Sequence, residues 1–469
     1  MKRIAIIGGG IAGLSAAYYL EKARRERNDA TDLAWTLFEK SDRLGGVIKT
    51  EHRDGYVLEA GPDSFLTIKP DGAQLCRELG IGDQLIGSND AERKTYILVK
   101  GRLVPIPEGL EFMVPTRVAP MAATPLFSLG TKLRMAKEWF AAGTPQNEDE
   151  SVGDFVRRHF GQQMVERVAE PLLAGVYGGD ADRLSVRAVL PRFVAMERAH
   201  GSLVRATLRA RKQRVNTGAQ PQPLFTSLKC GMQQIVDALV ASLPAGSLRL
   251  RQQELRLLRT RNGWQVAGGS AGEEFDVVLL AVPAPVSASL LLSLQPKMAG
   301  LLGRIHYTSA AAVAFAYDQA DLPPGHGFLV PRAEGRKILA CTFVHKKFAQ
   351  RVPEGSALLR CFISSSRVPD LLSHSDHTLL EIAEKELRDI LGLSRQPRFA
   401  RVFRWECALP QYETGHLERV AEAEKLLAEL PGIQIIGNSF YGIGIPDCIR
   451  SARLAVERIT SAALEPASV

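Results

Sequence analysis

Gly8, Gly9, Gly10, Ile11, Ala12 and Gly13 form a Gly-x-Gly-x-x-Gly turn, and an acidic residue, Glu39, follows it. These residue types at this spacing bind rather than cut. Gly8 makes the tight turn, Gly10 lets the backbone approach a pyrophosphate, and Gly13 lets helix and strand pack closely. Phosphates then face the unpaired N–H groups and positive end of the helix, while the Glu39 carboxylate accepts from a ribose 2′-OH. The ligand these features describe is a dinucleotide. Elsewhere, no Ser/His/Asp or Cys/His grouping stands in a context suited to nucleophilic catalysis. The nine histidines are dispersed without metal spacing, so no metal site is expected. The six cysteines (76, 230, 341, 361, 407 and 448) include no Cys-x-x-Cys, which fits reduced thiols in a cytoplasmic setting.

The glycine turn needs a strand before it and a helix after it, and both are legible. Residues 3–7 are an apolar run with strand character, and Leu14, Ala17, Tyr18 and Leu20 recur at helical spacing. Trp35 to Phe38 reads as the second strand, with Glu39 at its end. Arg43-Leu-Gly-Gly46-Val47 follows, then a hairpin that turns at Asp54-Gly55 and returns through Tyr56–Ala60 to Gly61-Pro62-Asp63-Ser64. Residues 74–79 read as a helix and 95–99 as a strand. The proline-punctuated apolar stretch from 105 to 125, with Phe112, Met113, Val114 and Met121 and with Leu126 just after it, fits a lid, a membrane-facing surface or a packed helical subdomain. Ser151-Val-Gly-Asp154 has the pattern of a helix start, and helical pattern runs on to about residue 176.

The basic run from Arg198 through Arg205, Arg209, Arg211, Lys212 and Arg214 reads as a solvated face. No aromatic residue is interleaved in it, which excludes a nucleic-acid groove. Gln220-Pro-Gln-Pro223 reads as a connection. Beyond it, 235–243 is a helix, 248–258 an alternating strand and 275–281 a buried parallel strand, with further strands near 310–317, 338–344 and 356–363. Pro446 suits the first turn of a closing helix with Ile449, Ala452, Val456 and Ile459 on one face. At 469 residues, 45% hydrophobic and 23% charged, the chain suits a soluble protein of two or three domains. With the helix after the first strand starting at about residue 10, no signal or transit peptide is expected, and no uninterrupted apolar stretch of 18 residues marks a transmembrane helix. The net charge of +8 fits an anionic substrate, an anionic membrane surface, or solubility alone.

The glycine turn, Glu39, Arg-x-Gly-Gly at 43–46 and Gly-Pro-Asp-Ser-Phe at 61–65 together resemble the flavin amine oxidase and protoporphyrinogen oxidase superfamily. Glu170-Pro-Leu-Leu-Ala-Gly-Val-Tyr177-Gly-Gly-Asp180, Pro410-Gln-Tyr412 with Gly415-His416, and Gly442-Ile-Gly-Ile-Pro-Asp-Cys-Ile449 sharpen this toward the bacterial oxygen-dependent coproporphyrinogen III and protoporphyrinogen oxidases. The resemblance covers essentially the whole chain. It implies an α/β fold with a discontinuous Rossmann-like FAD-binding domain (1–75, 216–295 and 430–469), a sheet-rich substrate domain (76–104 and 296–429) and a helical domain (105–215). It places non-covalent FAD against Gly8 to Gly13, Glu39, Lys40, Arg43, Val47, Gly61, Pro62, Asp63, Ser64, Leu255, Trp405, Ile443, Gly444 and Ile445.

The implied activity is oxygen-dependent removal of six hydrogens from a porphyrinogen, with the flavin carrying the redox chemistry and peroxide as by-product. Phe328, Leu329 and Phe362 are expected to touch the macrocycle. Thr95 stands where the eukaryotic branch has an arginine, and Lys69 is expected to pair a substrate carboxylate instead; an exposed surface lysine is the plainer alternative. Coproporphyrinogen III is favoured over protoporphyrinogen IX because the chain is basic and lacks an anchor. Peripheral membrane contact is compatible with this reading. An amine oxidase or desaturase on the same scaffold and a non-catalytic flavin-binding partner are the rivals. The segment Asn438-Ser-Phe-Tyr441 lacks the cysteine that tethers flavin in covalent amine oxidases.

Overall fold

The computed structural model describes residues 2–26, 33–143, 148–216, 222–268 and 271–461. Gln220 and Pro221 of the expected connection lie outside the described residues. Strand β1 (Lys2–Ile7), helix α1 (Ile11–Glu26) and strand β2 (Leu33–Phe38) form the unit read from the glycine turn. β1 lies at the centre of a five-stranded parallel sheet. β2 and then Leu248–Arg249 lie on one side, Val277–Leu280 and then Ile433–Ile435 on the other. Both faces are covered, which is why β1 is apolar from Ile4 to Ile7 rather than alternating. Ile4 and Ile6 pack with α1 and the closing helix Ile445–Ser461; Ala5 and Ile7 pack toward the helices Ala284–Leu291 and His416–Leu427. On the closing helix the expected face of Ile449, Ala452, Val456 and Ile459 is buried. Each fully buried isoleucine contributes roughly 1.5–3 kcal/mol.

The order of strands reverses direction across β1, so a crevice opens at the carboxyl ends of the strands, where open α/β sheets bind ligands. A second, seven-stranded sheet runs in the order Phe399–Pro410, Tyr307–Tyr317, Ala357–Ser364, Ile338–Phe343, Gly327–Leu329, Thr95–Val99, Arg102–Pro105. One of its faces packs the helix Asp376–Leu391 through Leu379, Ala383 and Leu387. The other receives the hairpin Thr50–Arg53/Tyr56–Glu59 through Tyr56, Leu58 and Ala60, which lie on Ala312, Ala314 and Ala316. Small side chains on that face let the hairpin come close, and the returning strand then delivers Gly61 to the crevice.

One expectation changes, and one choice left open by the sequence narrows. The run 248–258 is not one strand: Arg251 and Glu254 have left-handed backbone (φ 60° and 52°), which ends it at Arg249 and restarts it at Arg256. The bend wraps the end of β2, with Glu39 N donating to Arg249 O, Gln252 N to Glu39 O and Arg251 N to Ser41 O, each at 2.9 Å. Of the readings open for 105–125, the packed one fits, since Met113, Val114, Met121 and Leu126 are buried with the helices Val152–Phe160 and Glu170–Tyr177. Only Phe112 is exposed among the five residues singled out there. Ser151 caps the first of those helices, accepting from Asp154 N at 3.0 Å.

The loop before the closing helix is braced from below. Tyr412 Oη donates to Asn438 O (2.6 Å) and accepts from Gly442 N (2.9 Å), its ring stacked at 4.0 Å on His416. The buried His416 Nε2 pairs with Phe440 O at 3.0 Å.

Two outcomes follow from this packing. A Cβ at Gly13 would stand 1.9 Å from Gly8 O, so Gly13→Val should give insoluble or flavin-free protein; a folded, flavin-replete variant would show the turn is not the close contact described. Burial brings the His416 pKa down from 6.5 to about 4, its hydrogen bond to Phe440 O opposing only in part. The unfolded chain therefore binds a proton that the folded chain refuses between those values. This stability is complete above pH 6.5 and is lost as pH falls toward 4, by about 2 kcal/mol between pH 7 and pH 5. Denaturant unfolding of His416→Gln should lose less over that interval than the parent, and equal losses would remove His416 as a source.

Candidate functional site

The crevice is built from four backbone segments. In the first, Gly8 (φ +111°) turns the chain out of β1, its N–H donating to Phe38 O at 2.8 Å. A Cβ at Gly10 would meet nothing within 4 Å, so open space lies over the start of α1. Ile11 and Ala12 form the first turn of α1 there, a turn whose N–H groups have no intrahelical acceptor. Glu39 serves this loop directly. Its Oε2 accepts from Gly9 N at 2.7 Å, and its Oε1 accepts from Ser41 N and Ser41 Oγ at 2.8 Å. A carboxylate has about four acceptor positions, so room remains for a sugar hydroxyl. Lys40 is exposed beside it, and Leu255 is half-buried just past the bend that wraps Glu39.

The second segment is held by Arg43, which donates to Leu44 O (3.0 Å), Ile48 O (3.2 Å) and Gly46 O. Gly45 N donates to Gly9 O at 2.8 Å, joining it to the glycine turn. Val47 is exposed, while its carbonyl oxygen lies 1.8 Å from where a Cβ on Gly61 would sit. Only glycine fits at 61.

The third segment, Gly61-Pro62-Asp63-Ser64, is gripped from the second sheet. Ala60 O accepts from Trp405 Nε1 (2.7 Å) and from Arg360 Nη2 (3.3 Å), and Gly61 O accepts from the same Arg360 nitrogen. Asp63 O accepts from Ser227 Oγ at 2.7 Å. The Asp63 carboxylate takes Lys347 Nζ at 3.0 Å on both oxygens and Ser64 Oγ at 2.6 Å. Burial alone would raise its pKa, but Lys347 and Arg360 hold it well below the usual carboxylate range.

The fourth segment is the start of the closing helix. Ile443 and Gly444 precede Ile445, and the buried Asp447 accepts from Gly444 N at 3.2 Å and from Arg450 at 3.0 Å. Lys69 is drawn here: its Nζ donates to Asp447 Oδ2 at 2.5 Å. The lysine expected at a substrate carboxylate thus faces a carboxylate of the protein, because an acid in the first turn of a helix is the nearest strong partner.

The three apolar residues expected at the macrocycle do not stay together. Leu329 and Phe362 pack on Ala174 and Ala340, toward the helix Glu170–Tyr177. Phe328 precedes Leu329 on one strand and so points to the opposite face. It is buried there against Phe343, and that position corrects the expectation for it. Sequence reading missed Arg360, Lys347, Arg351 and Glu59, whose contacts join positions hundreds of residues apart without any local pattern. Asp447 alone carried a signal, as an acid in a helix N-terminal turn.

The donors present fit a flavin dinucleotide: an open glycine cradle at a helix start, an acid with spare acceptor capacity, and a side-chain-free backbone ledge at Gly61. Residues 11–460 match the family described as flavin containing amine oxidoreductase. The coproporphyrinogen III oxidase of Bacillus subtilis (strain 168) is 35% identical over 97% of this chain and 97% of its own length. The chloroplastic protoporphyrinogen oxidase of Nicotiana tabacum is 29% identical over 97% of this chain and 85% of its own. A crystal structure from Exiguobacterium sp. 255-15, provisionally assigned as a protoporphyrinogen oxidase, superposes with a TM-score of 0.87 at 32% identity, covering 98% of this chain and 99% of that one. A match this complete in both sequence and architecture makes the chain a member of the flavin containing amine oxidoreductase family, on its porphyrinogen-oxidase branch, with a flavin as its cofactor.

Proposed function

We propose that this chain is an FAD-dependent oxidase that converts a porphyrinogen to the porphyrin with molecular oxygen as acceptor, and that coproporphyrinogen III is its favoured substrate. The observation that carries this reading is the full-length similarity to bacterial coproporphyrinogen III oxidases, at 35% against 29% for the plant protoporphyrinogen oxidase. The bound flavin supplies the two-electron chemistry, three rounds of which remove six hydrogens.

The chain's own groups bind and orient. The Gly8–Gly13 turn and α1 hold the pyrophosphate, Glu39 the ribose, and Lys40 and Leu255 the adenine side. Arg43 fixes the loop that carries Val47, and Trp405 and Arg360 fix the backbone of Gly61 to Ser64 at the ring. Ile443 to Ile445 present the closing helix to it. Leu329 and Phe362 offer an apolar wall to the macrocycle and keep water from the reacting carbon. The flavin is held without a covalent bond: Asn438 to Tyr441 contains no cysteine, and burial pushes the Cys448 thiol up to about 12, leaving no thiolate to attack.

Anaerobic mixing should bleach the flavin with coproporphyrinogen III faster than with protoporphyrinogen IX, and air should restore it. Acid or heat should release all the yellow colour as FAD. No bleaching by either porphyrinogen would overturn the activity, and equal or faster bleaching by protoporphyrinogen IX in matched detergent would overturn the preference. Colour retained in the precipitate would overturn non-covalent binding.

Among the described residues no helix is long and apolar enough to cross a membrane. Peripheral contact with an anionic membrane surface is nonetheless part of this reading. On the helix Leu129–Glu138 and its last turn, Leu129, Leu133 and Phe140 recur along one face and are 74%, 58% and 82% exposed. Lys132 and Lys137 flank that stripe on either side, and the one acid of the helix, Glu138, is buried. An apolar stripe between lysines suits the headgroup boundary of an anionic bilayer. The protein should co-sediment with phosphatidylglycerol vesicles more than with phosphatidylcholine vesicles, and Leu133→Glu with Phe140→Glu should abolish this. Equal sedimentation with both lipids, or none, would end the claim.

A further inference from the structure

Five ionisable side chains, buried or nearly so, surround the turn from Glu59 to Ser64, and their charges do not cancel. Arg351 is 0% exposed, Arg360 5%, Lys347 8% and Glu59 4%, with Asp63 the fifth member. Three cations stand against two carboxylates, so the group carries one net positive charge. The pairs are explicit. Lys347 meets Asp63 at 3.0 Å and Arg351 meets Glu59 at 3.3 Å. Arg360 has no carboxylate of its own; its Nη2 takes the carbonyls of Ala60 and Gly61, and its Nε is buried without a partner. Arg351 likewise leaves Nε and Nη1 buried and unpartnered, while its Nη2 donates to Ser227 Oγ at 2.6 Å. The remaining faces of these cations are aromatic. Arg360 lies 4.7 Å over Phe362, and Lys347 lies 4.4 Å from Phe225 and 5.1 Å from Phe348.

An unbalanced buried charge is costly, and the fold retains this one at the backbone that the proposed function places against the flavin ring. A neutral anchor for that turn would need only the Trp405 and Ser227 hydrogen bonds. We infer that the Lys347–Asp63–Arg360–Arg351–Glu59 cluster is a fixed positive charge that raises the reduction potential of the flavin. The balance is direct. Hydride transfer brings two electrons and one proton to the neutral oxidised ring, which gains one negative charge, and the porphyrinogen loses that hydride. A net positive cluster in a medium of low dielectric stabilises the charged product over the neutral reactant. Burial pushes the Glu59 carboxyl up, so on acidification the cluster only gains positive charge.

The inference rests on the flavin reading of the site, and the experiment separates the two. Flavin content, midpoint potential by dye equilibration, and the dissociation constant of the sulfite adduct, which also places negative charge on the ring, are measured on purified holoenzyme. Arg360→Gln removes a cation and should lower the potential and weaken sulfite binding at least tenfold, about 30 mV for a two-electron couple. Arg360→Lys keeps the charge and should stay within threefold of the parent. Asp63→Asn removes an anion and should move both readouts the other way, toward higher potential and tighter sulfite. A cluster that merely anchors the turn would lower flavin content in both variants without moving the two readouts of the bound flavin in opposite directions. Opposite shifts support the inference. Potentials and sulfite affinities unchanged in flavin-bound variants, or moved in the same direction, overturn it. Should Arg360→Gln fail to fold, the sign for Asp63→Asn decides alone. A parent protein without flavin would instead refute the site reading itself.

Discussion

Everything at the crevice depends on backbone meeting backbone with nothing between. A side-chain carbon on Gly13 would fall 1.9 Å from Gly8 O, and one on Gly61 would fall 1.8 Å from Val47 O. Both distances are far inside any van der Waals contact, so neither position tolerates a Cβ without moving a strand or a loop. The first contact seats α1 on β1 and aims its N-terminus at the carboxyl edge of the sheet. The second seats the return of the hairpin on the Arg43 loop, which itself hangs on Gly9 through Gly45. A ligand pressed against these three segments meets peptide groups rather than side chains. That suits a large flat cofactor held over much of its length, and it leaves side-chain chemistry to the outer wall.

Contacts of this kind cost no sequence length but demand exact chain geometry, and the second sheet enforces it. Alternation along Tyr307–Tyr317 puts Ala312, Ala314 and Ala316 under the hairpin, and Val313, Phe315 and Tyr317 under the helix Asp376–Leu391. Tyr56 Oη reaches Tyr317 O at 2.9 Å, and Trp405 reaches Ala60 O. The returning strand of the hairpin is therefore fastened to the second sheet at both ends, and it continues through Gly61 into the crevice. The two sheets share one ledge, and under the proposed function a substrate lying on Leu329 and Phe362 would be registered against the cofactor through covalent chain rather than through a flexible linker.

What the sequence disclosed follows from range. The strand–turn–helix at 2–26, the hairpin turn at Asp54-Gly55 and the buried face of Ile449, Ala452, Val456 and Ile459 are short-range patterns of period 2 or 3.6, and all appear as read. The run 248–258 misled because its alternation is real but its backbone is claimed by Glu39 and Ser41, a tertiary demand that composition does not show. Phe328 misled for a simpler reason. Two neighbours on a strand cannot share a face, and the pair Phe328-Leu329 had to be split. Lys69 and Asp447 lie 378 positions apart, as their hydrogen bond records, and no window could join them.

The buried charges define the remaining tension. Replacing Arg351 and Arg360 with apolar residues of similar volume would relieve unpartnered nitrogens, and such replacements are often neutral or stabilising. The chain instead keeps both arginines, stacks Arg360 on Phe362, and uses it to turn the carbonyls of Ala60 and Gly61 inward. In a trans peptide the N–H points opposite to the C=O, so turning Ala60 O toward the arginine turns Gly61 N–H away from it. The same side chain thus sets which backbone polarity the ledge presents on its outer side and supplies positive potential behind it. Those two effects act in concert on any ligand that accepts hydrogen bonds and gains negative charge. A cation at this position therefore serves a flavin that cycles between neutral and anionic forms better than a hydrophobic plug of the same size would.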